Sequence, residues 1–253
     1  MSSLRGKRIW ITGASSGIGA ALAEELAGRG CRLALTARSA EPLERLAAGL
    51  PDAIALPGDI ADLERMRAIG AELEATWGEI DIAVLNAGIY RPVTPQTFTA
   101  EIVRAHVEVN VMGTANCMEA VLPGMLARRG GRIAVMASVT GYAALPLAAA
   151  YGGTKAFLIS MCESLQADLT GSGVALTVVA PGFVHTGATA QNDFTMPFVI
   201  SPEKAARVIA DGLERGDPEI AFPRRMAFVM KLLGALPGGM RRRYVARISR
   251  QRR

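Results

Sequence analysis

Tyr151 and Lys155 lie four residues apart, a spacing that puts both on one face of a helix. A free tyrosine hydroxyl, with a pKa of about 10, is a poor base near neutrality. An ammonium beside it favours the phenolate and lowers that pKa, so such a pair can give a proton to a carbonyl oxygen or take one from an alcohol. The pattern alone is common on helix surfaces. Ser138, thirteen residues ahead of Tyr151, would by itself be a strand-end hydroxyl bonding backbone. A second chemical feature is Thr12-Gly13-Ala14-Ser15-Ser16-Gly17-Ile18-Gly19, which follows an apolar run and leads into a helical pattern. Glycines here permit a tight turn, close approach of backbone to phosphate and packing of helix on strand. The helix start offers unpaired N–H groups and partial positive charge to a pyrophosphate. The spacing is not G-x-G-x-x-G, and it lacks the Gly-Lys-Ser/Thr of a nucleoside-triphosphate loop.

The elements that must position these residues are short apolar runs alternating with longer amphipathic ones. Strands are expected at Arg8–Thr12, Arg32–Ala37, Ala53–Leu56, Ile82–Asn86, Arg132–Ala137, Ala175–Ala180 and Glu219–Phe222. Helices are expected at Gly17–Gly28, Ala40–Gly49, Asp62–Trp77, Tyr151–Leu169 and Ser201–Arg215, with two further helical stretches between the fourth and fifth strands. Apolar strands alternating with helices predict an α/β, doubly wound Rossmann-type three-layer sandwich on a mainly parallel, seven-stranded sheet. Ligands of such sheets bind beyond the carboxyl ends of the strands, where strand order reverses. Residues 1–223 read as one catalytic domain, and 224–253 as a basic, partly amphipathic C-terminal tail.

With these motifs in place, the sequence resembles the short-chain dehydrogenase/reductase family, whose phosphate loop has the form T-G-x-x-x-G-x-G. The resemblance recurs in order over roughly residues 5 to 222: Asp59-Ile60, Asn86-Ala87-Gly88, Asn110-Val111-Met112-Gly113, Ser138, Tyr151-Gly152-Gly153-Thr154-Lys155 and Pro181-Gly182. Leu85 and Ala137 depart from residues common in the family, but neither position carries a chemical role. The resemblance implies a catalytic set of Asn110, Ser138, Tyr151 and Lys155, in which the Ser138–Tyr151 interval also fits. Tyr151 would be the acid/base, helped by Lys155 and by the positive nicotinamide ring. Lys155 would also bind the nicotinamide ribose, Ser138 the reacting oxygen, and Asn110 a water linking Lys155 to solvent. Cofactor contacts are implied at Gly13, Ser15, Ser16, Gly17, Ile18 and Gly19, at Asp59 and Ile60 beside the adenine, and at Asn86, Ala87 and Gly88. Pro181, Gly182, Val184 and Thr186 would meet the carboxamide end. His185 reads as a packed or exposed loop residue, because the tyrosine already supplies the acid/base.

The cofactor expected is NADP(H). Where the family's NAD-preferring members usually carry Asp at the end of the second strand, this chain has Ala37, followed by Arg38. A guanidinium there can stack on adenine and pair with a 2′-phosphate. The substrate expected is a small to medium alcohol or carbonyl compound of apolar character. Phe194, Met196, Pro197 and Phe198 fall in an implied substrate-covering segment, and Tyr142, Ala143, Ala144, Leu145 and Leu147 precede the catalytic tyrosine.

Bulk properties narrow the class further. Half the residues are hydrophobic and 20% are charged, which fits a globular chain. Met1 runs through Lys7 and Arg8 into a strand with no apolar signal core, so a cytoplasmic enzyme is expected. Cys31, Cys117 and Cys162 read as reduced core thiols, and neither they nor His106 and His185 have metal-ligand spacing. The formal charge of +5 is local to the tail: residues 224–253 hold ten Lys/Arg and no Asp or Glu. Met240, Tyr244 and Ile248 recur every four residues among those arginines. That pattern is a short basic amphipathic helix, which suits a peripheral contact with an anionic membrane, an oligomer contact, or a solvated, partly frayed helix with no partner. Arginines outside the catalytic body argue against nucleic-acid binding. A homodimer or homotetramer is implied by the resemblance. The alternatives are a non-catalytic NADP(H) sensor or scaffold, which predicts a broken catalytic set, and a sugar-nucleotide epimerase-like enzyme, which needs a larger C-terminal substrate region.

Overall fold

The computed structural model describes residues 3–187, 189 and 196–250, the side chains of 248–250 excepted. Seven parallel strands form one sheet in the order β3-β2-β1-β4-β5-β6-β7. They are β1 Arg8–Thr12, β2 Arg32–Thr36, β3 Ala53–Ala55, β4 Ile82–Leu85, β5 Gly131–Met136, β6 Val174–Pro181 and β7 Glu219–Phe222. The helices are α1 Gly17–Gly28, α2 Ala40–Ala48, α3 Leu63–Trp77, α4 Ala100–His106, α5 Gly113–Ala127, α6 Ala149–Asp168, α7 Pro202–Arg215, α8 Arg224–Ala235 and α9 Gly238–Arg250. The fold is the expected doubly wound sandwich, with element ends displaced by only one or two residues. The strands read as continuous apolar runs because both faces are covered. Ile9, Ile11, Leu33, Leu35, Ile82 and Val84 pack under α1, α2 and α7, while Trp10, Ala34, Ala83 and Leu85 pack under α3, α5 and α6.

Local chemistry sets several helix starts. Asp62 accepts from the Arg65 amide at 3.0 Å to cap α3, and Ser201 accepts from the Lys204 amide at 3.3 Å to cap α7. One element has no counterpart in the apolar periodicity. Val107–Met112, between α4 and α5, is a π-helix, and Asn110 sits inside it.

The division expected after residue 223 does not coincide with a break in packing. Met226, Ala227, Met230 and Leu233 of α8 are buried against Val139 and Ala143. A Cβ on Gly234 would stand 2.3 Å from the Tyr142 carbonyl oxygen, so helix and loop touch through backbone. Tyr142 Oη donates to Glu219 Oε1 at 2.6 Å, and Lys231 pairs with the other oxygen of that carboxylate. The first half of the tail is therefore part of the body. It closes an apolar cluster formed by the 139–145 segment, which is why its inner face repeats at helical spacing.

Candidate active site

Strand order reverses between β1 and β4, and their carboxyl ends are stapled there. Thr12 Oγ1 accepts from the Asn86 and Ala87 amides at 3.1 and 3.2 Å. Asn86 Nδ2 donates to the Thr12 and Gly13 carbonyls at 3.0 and 3.1 Å. These bonds fix the turn that opens the phosphate loop. Gly13 takes φ +67°, and a Cβ on it would lie 2.7 Å from Ala87 Cα. The Ser16 side chain makes no capping bond to α1, so the helix start keeps its amide donors. A cleft of about 570 Å³ opens beside it, lined by Gly13, Ser15, Ser16, Gly17 and Ile18. This is a cradle that side chains would fill, with donors turned to an anion, and it fits the pyrophosphate of a dinucleotide.

Gly19 tests that reading. It lines no part of the cleft, yet a Cβ there would stand 2.2 Å from the Gly13 carbonyl oxygen. Gly19→Ala should therefore cost about 2 kcal/mol or more in stability, roughly 5 °C or more in Tm. It should also erase the rise in Tm on adding a dinucleotide, because the turn that holds the amides must move. Thermal melts with and without cofactor check both effects, and an undiminished cofactor-induced rise would reject the link.

Along the cleft, Ala37 and Arg38 follow β2, and Gly58, Asp59 and Ile60 follow β3. Arg38 is exposed and forms no ion pair among the described residues. Asp59 Oδ1 accepts from the Ala61 amide at 3.0 Å, which shapes its own turn. Gly88 faces the opposite wall closely: a Cβ there would meet Asn110 Oδ1 at a tight 3.1 Å and Lys155 Nζ at 3.6 Å.

The four residues of the expected catalytic set lie close together, with Asn110 behind the other three. Ser138, Tyr151 and Lys155 line the cleft. Ser138 Oγ donates to the Pro181 carbonyl at 3.2 Å and accepts from the Thr140 amide at 3.3 Å. Lys155 is 3% exposed, its Nζ donates to the Met136 carbonyl at 2.6 Å, and it stands 5.5 Å from the Tyr151 ring centroid. Asn110 is fully buried behind them. Its Oδ1 accepts from the Ile89 amide at 2.7 Å, and its Nδ2 donates to the Ile89 carbonyl and Thr154 Oγ1 at 3.0 and 3.1 Å. Both amide hydrogens are spoken for, so the side chain works as a staple between the β4 loop and α6. Acceptor capacity remains for a water, at the second lone pair of Oδ1 and at the main-chain carbonyl, which accepts from Thr114 Oγ1 at 2.8 Å.

The electrostatics also differ from expectation. Burial pushes the Tyr151 phenol up to about 12, with the Ser138 hydroxyl opposing that and Tyr90 adding to it. Burial pulls Lys155 down to about 8. The protein alone therefore holds Tyr151 as a protonated acid.

Beyond β6, Pro181, Gly182, Val184 and Thr186 line the cleft. The backbone around Val184 is held by Ile200, which accepts from the His185 amide at 2.9 Å and donates to Phe183 at 3.1 Å. His185 is exposed and outside the cleft, as expected. His106 is consumed in the core: its ring nitrogens meet the Ile102 carbonyl at 2.8 Å and the Arg91 amide at 3.1 Å. Cys31, Cys117 and Cys162 are buried free thiols.

The substrate side holds residues that sequence reasoning does not single out. Tyr90 packs edge-on against Tyr151 with ring centroids 5.1 Å apart. Phe183 and Met226 complete the apolar wall with Leu145. Tyr90 could have been found two residues after Asn-Ala-Gly, whereas Met226 carries no local signal. Of the apolar residues expected here, Tyr142 and Ala143 face α8 instead, and Phe194 lies outside the described residues.

Comparison with known proteins places the chain in a family. The family profile described as short chain dehydrogenase matches residues 7–196. An uncharacterized oxidoreductase of Myxococcus xanthus is 37% identical over 245 residues, covering 94% of this chain and 95% of its own. Oxidoreductase UcpA of Salmonella typhimurium is 35% identical over 230 residues, covering 86% and 87%. A short-chain dehydrogenase from Streptomyces avermitilis superposes with a TM-score of 0.78 at 29% identity, covering 90% of this chain and 92% of that one. A Burkholderia phymatum short chain dehydrogenase/reductase, solved in complex with NAD, gives 0.83 at 23% identity over 92% and 94% of the two chains. By the profile match over residues 7–196 and the 37% identity to a full-length relative, the chain belongs to the short-chain dehydrogenase/reductase family of oxidoreductases.

Proposed function

We propose that this protein is an NADP(H)-dependent oxidoreductase that interconverts an alcohol and a carbonyl compound of small to medium size and apolar character. The observation that carries this reading is the single cleft that joins the phosphate cradle at Gly13–Ile18 to Ser138, Tyr151 and Lys155. When bound, the nicotinamide supplies or accepts the hydride. Tyr151 gives its proton to the carbonyl oxygen in reduction and takes it from the hydroxyl in oxidation. Ser138 is free to turn its hydroxyl from the Pro181 carbonyl to the same oxygen. The Lys155 ammonium stabilises the phenolate left after proton transfer and binds ribose hydroxyls. Leu145, Phe183, Met226 and Tyr90 give the substrate a dry wall, which strengthens these polar contacts. Exposed Val107, Met112 and Phe157 favour a homodimer or homotetramer, whose mass light scattering would give.

The choice of NADP(H) rests on Ala37 and Arg38. No carboxylate stands at the end of β2 to bind a 2′-hydroxyl or repel a 2′-phosphate, and an unpaired guanidinium lines the cleft one residue on. The NAD-bound structure at 23% identity speaks only for the fold. Assay of an aldehyde and ketone panel with NADPH and with NADH tests both parts of the proposal. The expected result is turnover with NADPH preferred, and Arg38→Ala should lower the NADPH:NADH ratio of kcat/KM roughly 10- to 100-fold. Equal efficiency with the two cofactors, or an unchanged ratio in the variant, would remove the NADP(H) assignment. No turnover of any panel member with either would count against the redox reading itself.

A further inference from the structure

Helix α8 is apolar on both sides. Its inner face, Met226, Ala227, Met230 and Leu233, is buried in the body. Its outer face carries Phe228, 69% exposed, with Val229 and Leu232 exposed beside it. In α9, Val245 packs toward the same cluster, while Met240 and Tyr244 are exposed. Arg241 Nη1 donates to the Gly234 carbonyl at 3.2 Å and ties the two helices together. The exposed apolar side chains are interspersed with Arg224, Arg225, Arg241, Arg242, Arg243 and Arg247, all exposed. None of these six makes an ion pair among the described residues, and the segment 224–253 contains no carboxylate side chain.

From this we infer that the outer face of α8 and α9 docks the protein on an anionic lipid bilayer. Apolar side chains at the centre with arginines among them is the arrangement that sits at a headgroup–acyl boundary. The rings and aliphatic chains insert, and guanidinium groups reach lipid phosphates and carboxylates. A second copy of this chain is the other occupant to weigh. A twofold contact through this face would set two sets of six arginines against each other with no carboxylate between them. An anionic surface neutralises that charge instead. Among the described residues no helix is long and apolar enough to cross a membrane, so the contact is peripheral.

Docking in this way has a consequence for the cleft. Met226 lines the catalytic cleft from the inner side of the same helix turn that exposes Phe228 and Val229. The substrate end of the cleft is thereby brought beside the bilayer, where apolar alcohols and carbonyl compounds concentrate. This consequence rests on the proposed carbonyl chemistry, but the docking does not.

Co-sedimentation of the full chain with phosphatidylcholine vesicles, with and without phosphatidylserine, tests the inference without turnover. Binding should require phosphatidylserine and weaken as salt rises. Arg241→Gln, Arg242→Gln and Arg243→Gln together should lower partitioning ~100-fold. Phe228→Ser with Leu232→Ser should lower it about tenfold or more, leaving thermal stability and any soluble-substrate turnover unchanged. Failure to bind anionic vesicles, or binding that both variants leave intact, would overturn the inference. A serine variant that halves the mass in light scattering without altering vesicle binding would assign the face to a subunit contact instead.

Discussion

Replacing Tyr151 with phenylalanine is expected to lower kcat roughly 10³-fold while leaving the Kd for NADP(H) nearly unchanged. The ring loses only its hydroxyl, so its packing against Tyr90 at 5.1 Å and its place in the cleft wall persist. What disappears is the proton. Burial pushes this phenol up to about 12, so in the protein alone it stays protonated throughout the neutral range and is ready to donate. Ser138 is a weak acid already engaged with the Pro181 carbonyl, and Lys155 is held by Met136. His106 is locked by its own two hydrogen bonds, and His185 lies outside the cleft. Steady-state assays with the best substrate of the panel, together with cofactor titration of the variant, measure the two quantities separately. Residual turnover above about a tenth of the parent would refute Tyr151 as the acid/base. A cofactor Kd weakened in proportion to kcat would mean that the hydroxyl serves binding instead.

The parts of this site that can be read from sequence are those whose cause is local. Strands buried on both faces must be apolar throughout, and helix starts at Asp62 and Ser201 carry their own capping side chains. Gly13 and Gly19 are read because any side chain there would strike a backbone atom only a few residues or one strand away. The remainder depends on contacts distant in sequence. The inner face of α8 finds its partners in the loop around Val139 and Ala143, some eighty residues earlier, so the segment alone resembles a free amphipathic tail. The π-helix at Val107–Met112 has no signature in the apolar spacing, although it carries the staple made by Asn110. The electrostatics of Tyr151 are equally non-local. Four-residue spacing foretells a lysine on the same face, but the desolvation of the phenol in a partly buried cleft wall decides that it is raised rather than lowered.

Lys155→Met should abolish turnover and yet make the cofactor-free protein more stable by about 2 kcal/mol near neutral pH. The ammonium is 3% exposed and its recorded hydrogen bond is to one carbonyl, that of Met136. Burial lowers its pKa from 10.5 to about 8, which corresponds to ~3 kcal/mol of native-state cost while the group is charged. Methionine of similar length removes that cost, and the carbonyl left without its donor offsets ~1 kcal/mol of the gain. The sign with pH follows from the folded value lying below the unfolded one. Between pH 8 and 10.5 the unfolded chain still binds the proton that the native state has lost, so the parent gains stability as pH rises through that window. The advantage of the variant should therefore be greatest below pH 8 and reverse by about 1 kcal/mol toward 10.5, where only the lost bond to the Met136 carbonyl remains. Buried Cys31, raised to about 11, changes stability in the opposite sense above its ordinary 9.0, but it does so in both proteins, so the difference between them isolates Lys155. Urea unfolding of both proteins from pH 7 to 10, without cofactor, measures it. A variant less stable at every pH, or a gap that does not change with pH, would show that the ammonium is not under strain. If the pattern holds, the fold keeps a charge it would be more stable without beside the Tyr151 ring, 5.5 Å from its centroid, where the proposed proton transfer would use it.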